Sequence, residues 1–347
     1  MVGAAHRVGS SLLSSSARPA QQSPVFVTGG SGFVGGAVVD HLLASGTDVR
    51  ALTRSEASAD LITAKGAAAV DGDVGDRRAL VSGMAGCAIV FHVAGVNTMC
   101  PSNPGAMYRT NVDGVRVVVR AAAEAGVRRI VLTSSAATIG ESEGIVANED
   151  TVHAGGFLSH YARSKYFGEL AFFEETSRLG IEAVAVNPSS VQGPGRTSGS
   201  AMILRSALNM KRPVAVDTML SIVDIDDCAD AHVLAAQRGT DGSRYLISGA
   251  SISVRDAVVL LSEIVERPIE PIMIPRVLTS LARPLVGVAG LVRKDRPICA
   301  AMLRTLLHGH RFDVSRSIHD LGMSYTPIGD TFDRTVQWLV QEGLVSR

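Results

Sequence analysis

The chain has 347 residues, enough for one large or two intimately joined domains with an ample core. Lys plus Arg equals Asp plus Glu at 33 each, so no basic excess points to nucleic acid. No apolar run is long enough to span a membrane. Four cysteines, Cys87, Cys100, Cys228 and Cys299, lack C-x-x-C or other ligand spacing, which fits a reduced, cytosolic setting.

Residues 1–23 are rich in Ser and Ala and contain Arg7 and Arg18 but no acid. They read as a disordered leader, with transit-peptide composition as the alternative. Next comes Val25-Phe26-Val27-Thr28, a short apolar strand, followed by a glycine turn and a helix expected over 34–45. Gly29, Gly32 and Gly35 fall at G-x-x-G-x-x-G spacing. Glycine is a tenth of the chain (35 of 347), so the spacing alone says little. Its place between strand and helix is the signal. Such a turn lets a pyrophosphate approach the backbone, where the unpaired N–H groups of the helix start, at Phe33 and Val34, meet it.

Further strands are expected at Asp48–Thr53, Ala67–Asp71, Ala88–His92, Ile130–Ser134 and Glu182–Asn187. Helices fit 76–84, 106–125 and 160–179. Alternating strands and helices imply right-handed βαβ units around a parallel sheet. Beyond Asn187-Pro188 the pattern loosens, and the remainder reads as mostly helical with one returning strand near Arg244–Ser248.

The second strand ends in Thr53-Arg54. A carboxylate at that point would hold the ribose 2′-OH of NAD; a guanidinium matches the 2′-phosphate of NADP, so NADP(H) is expected rather than NAD(H). Asp73, after the third strand, suits an adenine amino group or a helix cap equally well. Tyr161 and Lys165 stand four apart on one helix face. A neighbouring cation lowers a phenol's pKa from about 10, as a proton carrier for a carbonyl/alcohol pair needs. Thr133-Ser134-Ser135 closes the preceding strand, where a doubly wound sheet puts its ligands.

Together these motifs resemble the extended short-chain dehydrogenases/reductases, in particular the dihydroflavonol reductase-like and 3β-hydroxysteroid dehydrogenase-like branch of the NAD-dependent epimerase/dehydratase superfamily. The resemblance runs over about residues 24–345. It takes in Phe91-His92-Val93-Ala94-Gly95, Asn111-Val112-Asp113-Gly114, Asn187 to Gly195, Val223 to His232 and Arg244-Tyr245. It implies an α/β fold: a Rossmann domain (24–190 plus 221–250) and a smaller, mostly helical substrate lid (191–220 and 251–347). It implies Tyr161 as general acid/base and Lys165 as the ribose ligand that depresses the tyrosine pKa. Ser135, or Ser134 one residue earlier, would position the reacting oxygen, and Asn111 would serve a proton relay. The cofactor would lie against Gly29, Gly32, Phe33, Val34, Gly35, Arg54, Asp73, Val74, Val93, Ala94, Gly95, Pro188, Ser190 and Val191.

Branches of the family separate by local chemistry. Ala136-Ala137 stand where sugar dehydratases need acids. Leu220, seven residues before Asp227, stands where nucleotide-sugar enzymes place an arginine. An apolar or ring carbonyl substrate is therefore favoured over a nucleotide-sugar epimerase, and over a non-catalytic NADP-binding regulator. A homodimer is expected through helices 106–125 and 160–179, because the first carries more valine and alanine than one sheet-facing stripe requires. No cysteine or acid pair accompanies His308-Gly309-His310, so a loop or helix end is expected there and no metal. The interrupted apolar segment Val277–Val292 reads as a substrate-covering helix rather than a membrane-lying one, and the expected location is cytoplasmic.

Overall fold

The computed structural model describes residues 23–197, 201–210, 212–274 and 299–345. The leader and the segment 277–292 lie outside them. The first part runs β1 (Val25–Thr28), α1 (Phe33–Ala44), β2 (Val49–Thr53), α2 (Glu56–Ala64), β3 (Ala68–Asp71), α3 (Arg77–Met84), β4 (Ile89–His92), α4 (Pro104–Tyr108), α5 (Gly114–Glu124), β5 (Arg129–Thr133), β6 (Val146–Ala147), α6 (His160–Leu179) and β7 (Glu182–Pro188). The second runs β8 (Ser190–Gln192), α7 (Ala201–Asn209), β9 (Val214–Val216), β10 (Met219–Asp224), α8 (Ile225–Arg238), β11 (Ser243–Ile247), β12 (Ala250–Ser253), α9 (Val254–Ile264), β13 (Ile272–Ile274), α10 (Ala300–His308), β14 (Arg311–Phe312) and α11 (Ile328–Gln341).

Seven strands form one sheet in the order β11-β7-β5-β4-β1-β2-β3, all pairs parallel. Alternation along β1 explains the three layers. Val25 and Val27 pack with Val38, Val39 and Ala235 on one face. Phe26 packs with Leu80, Met84, Val118 and Phe172 on the other. Strand order runs outward in both directions from β1 and β4, so their carboxyl ends flank a crevice. A separate apolar cluster joins Leu204, Leu208, Leu261, Phe332 and Leu339 from the C-terminal part. Among the described residues no helix is long and apolar enough to cross a membrane.

Several expectations need correction. Helix α2 was not foreseen: only Ile62 of its nine residues is buried, so it has no apolar stripe to read. The expected helix 106–125 is α4, a π-helical turn over Arg109–Asp113, and α5. Past residue 190 the chain is mostly helical, as expected, but it carries more strands than the one foreseen near Arg244–Ser248. Besides β11, six short strands follow: β12, β10 and β8 form a three-stranded sheet, β13 pairs with β9, and β14 pairs with the earlier β6. Strands of two to six residues are too short to show a period. The reduced-cysteine reading also changes: Cys100 and Cys299 form a disulfide across 199 residues, while Cys87 and Cys228 are buried thiols. Finally, Val115, Val118, Val119, Ala121 and Ala122 are core residues of the chain itself. The exposed apolar side chains on this side are Phe167 and Leu170 of α6.

Candidate active site

The glycine turn is shaped by close approach. Gly29 has φ +75°, and a Cβ there would lie 2.7 Å from the Ala94 amide. A Cβ on Gly35 would lie 2.1 Å from the Gly29 carbonyl oxygen. Gly32 is the N-cap of α1, with no side-chain cap and no acid in the first turn. The first-turn amides at Phe33, Val34 and Gly35 therefore have neither intrahelical nor capping acceptors, as an anion site requires. Thr28 ties the two crevice strands together. Its hydroxyl accepts from Ala94 N at 3.2 Å and pairs with His92 Nδ1 at 2.7 Å. Burial pushes His92 down to about 3, so it is neutral. His92 Nε2 and Ser134 Oγ are buried without a hydrogen-bond partner, at the ends of β4 and β5.

Val93, Ala94 and Gly95 continue from β4 over the turn. Asn111 clamps the next residue: its Oδ1 accepts from Val96 N at 2.8 Å and its Nδ2 donates to Val96 O at 3.0 Å. The same amide also donates to Ser164 Oγ. This clamp sits in the π-helical turn, a distortion common at functional sites. At the other end of the crevice, Arg54 is 77% exposed and lies 3.9 Å from Asp73. An exposed pair at that distance holds Arg54 weakly, leaving it available to another anion. Asp73 also accepts from Gly75 N, a turn bond, and buried Val74 packs beside Gly114.

The proton-handling groups meet at the end of β5. Ser159 caps α6, accepting from Ala162 N, and sets Tyr161 in the first turn. Burial raises the Tyr161 pKa; a hydrogen bond from Ser135 and the charge of Arg196 oppose it. Ser135 and Arg196 thus both favour the phenolate against the effect of burial. Lys165 Nζ donates to Thr133 O at 2.7 Å. Pro188 ends β7, and Ser190 and Val191 open β8, where the Val191 carbonyl accepts from Arg196. Arg196 also stacks over Phe33, 5.4 Å from its ring centroid.

Arg196 and Glu169 were not singled out in the sequence. Arg196 ends what reads as a loop, Gly193-Pro194-Gly195. Glu169, one turn beyond Lys165, is buried and accepts from Asn187 Nδ2 at 2.6 Å and Arg244 Nη1 at 3.2 Å. Its i+4 spacing from Lys165 was the available signal.

Burial pushes Lys165 down to about 8 from 10.5, although Glu169 opposes the shift. A depressed lysine pKa means that the folded state binds fewer protons between those values. The charged lysine thus costs stability below about pH 8, and the cost is relieved as pH rises toward 10.5. Lys165→Met should raise the unfolding free energy at pH 7 by about 1–3 kcal/mol. Turnover and cofactor affinity should fall at the same time. Urea denaturation at pH 7 that shows the variant no more stable would contradict this account.

The arrangement matches known proteins. The model of the NAD dependent epimerase/dehydratase family matches residues 25–248. A putative dihydroflavonol 4-reductase of Synechocystis sp. is 32% identical over 341 residues, 92% of this chain and 95% of that protein. Cinnamoyl-CoA reductase 1 of Oryza sativa subsp. japonica is 28% identical over 338 residues, 92% and 91% of the two chains. The crystal structure of gox2253 superimposes with a TM-score of 0.83 at 28% identity, over 94% of this chain and all of that one. A glycine cradle with bare helix amides, buried unpartnered polar atoms and a Ser–Tyr pair at the sheet's carboxyl edge suits a nicotinamide dinucleotide. The chain belongs to the NAD-dependent epimerase/dehydratase family, within the extended short-chain dehydrogenases/reductases, and is an NAD(P)-dependent enzyme of CH–OH/carbonyl chemistry.

Proposed function

We propose that the protein is an NADP(H)-dependent reductase that interconverts a carbonyl and an alcohol on a small apolar or ring substrate. The observation that carries this reading is the bond from Lys165 Nζ to Thr133 O at 2.7 Å, which holds the start of α6, with Tyr161, against the Thr133-Ser134-Ser135 end of β5. When bound, the nicotinamide supplies the hydride. Ser135 holds the substrate oxygen, and Tyr161 gives that oxygen its proton as the carbonyl carbon is reduced. Lys165 holds the ribose side, and residues 191–220 with 251–347 shape the substrate end. Ala136-Ala137 leaves dehydration without its acids, and Leu220 packs into the apolar cluster of the C-terminal part instead of offering a cation to a diphosphate. NADPH oxidation by the purified protein across ketones, aldehydes and sterol-like substrates tests the reading. Turnover of a nucleotide sugar without net NADPH consumption, or no turnover at all, would overturn it.

Cofactor choice rests on Arg54. NADPH should bind more tightly than NADH by about 1–3 kcal/mol if the guanidinium meets the 2′-phosphate. Arg54→Ala should narrow the gap, and equal affinities in the unmutated protein by calorimetry would refute the assignment. We also infer a homodimer through α5 and α6, for which exposed Phe167 and Leu170 offer the apolar contact. Light scattering should give twice the chain mass, falling to one chain in Leu170→Glu.

A further inference from the structure

The sequence shows two histidines, His308 and His310, with no cysteine or acid pair accompanying them. The fold supplies an acid from 169 residues earlier. Glu141 follows the short helical turn that begins beside Ser135, and its side chain is only 3% exposed. His310 Nδ1 lies 2.5 Å from Glu141 Oε1, and His308 Nε2 lies 3.7 Å from the same oxygen. The two imidazole rings are 5.0 Å apart. Backbone fixes the group from both sides. His310 N donates to Met219 O, and its carbonyl accepts from Ser221 Oγ.

This cluster borders a cavity of about 600 Å³ that His308 and Gly309 line, together with Thr218, Met219 and Arg255. None of Ser135, Tyr161 and Lys165 is among its described lining residues. Thr218 is 5% exposed, and its Oγ1 has no hydrogen-bond partner. A Cβ on Gly309 would come within 2.5 Å of that oxygen, so the two residues close the same wall. An unpartnered buried hydroxyl on the wall of this cavity is a place for a further polar ligand.

We propose that Glu141, His308 and His310 form a binding site for a divalent transition metal of the zinc class, with an open coordination position toward this cavity. Two imidazoles and a carboxylate are a donor set that zinc takes, with water or a ligand as the fourth partner. The three donor atoms lie within 4.8 Å of one another. Ligands at 2.0–2.2 Å from a tetrahedral metal stand about 3.3 Å apart, so the Glu141–His310 pair opens by about 1 Å while His308 closes in. The simple alternative is a buried Glu–His hydrogen bond with a neighbouring histidine.

Titration of the full chain with zinc chloride separates the two. Calorimetry should show saturable binding at one site per chain. His308→Gln keeps the Glu141–His310 hydrogen bond, so the fold should persist by circular dichroism while zinc affinity falls about tenfold or more. Glu141→Gln should weaken binding at least as much. Cobalt(II) in place of zinc should give the visible d–d bands of a low-coordinate site, lost in His308→Gln. Absence of saturable binding, or an affinity that both variants leave unchanged, would overturn the proposal.

Discussion

Tyr161→Phe should leave the fold and cofactor binding intact while lowering kcat by about 10²–10⁴-fold, the usual worth of a general acid–base step. The substitution keeps the ring, so the packing at the first turn of α6 survives. It removes the oxygen that Ser135 hydrogen-bonds and that Arg196 biases toward its charged form. Ser135→Ala should cost more turnover than Ser134→Ala, because Ser134 Oγ makes no hydrogen bond here. Arg196 sets the pH behaviour. Its charge favours the phenolate, so Arg196→Leu should raise the Tyr161 pKa and move the acid limb of the alcohol-oxidation profile, where the phenolate must accept the proton, to higher pH. A Tyr161→Phe rate within about twofold of the unmutated enzyme, on any substrate that it reduces, would remove the mechanism.

Reducing the Cys100–Cys299 disulfide should lower stability by about 2–5 kcal/mol, since opening a closed loop of nearly 200 residues frees the unfolded chain. The bond ties the loop that follows β4 to the start of α10, joining the cofactor side to the C-terminal part. Urea unfolding with and without dithiothreitol measures the effect, with Cys299→Ser as the control that reductant should no longer change. Coincident midpoints for oxidised and reduced protein would rule out a stabilising bridge.

The parts that the sequence carries are those with local rules. Helix 160–179 ends where expected because Ser159 caps it and Gly180 closes it in the left-handed region. The parallel strands are apolar on both faces, and the glycine turn lies between a strand and a helix. The parts that escaped are long-range or weakly patterned. Nothing near Cys100 points to Cys299, and nothing near His308 points to Glu141. Helix α2 lies on the surface with one buried residue. The lysine at the right spacing was expected to act on Tyr161 directly. Its ammonium bonds the Thr133 carbonyl, and the arginine that adds a charge at the phenol lies in a loop with no pattern to read.

The order of the sheet has a consequence for synthesis. Strand β7 pairs with β5 on one side and β11 on the other. Residues 243–247 emerge only after the whole of β8 to α8 has been made. Until then β7 is an open edge, and Ala183, Val184, Ala185 and Val186 form a flat apolar strand with one side of its backbone unpaired. A nascent chain stalled before Ser243 therefore presents a template for pairing with other chains. The longer residues 190–243 take to be made, the longer that edge stays unpaired.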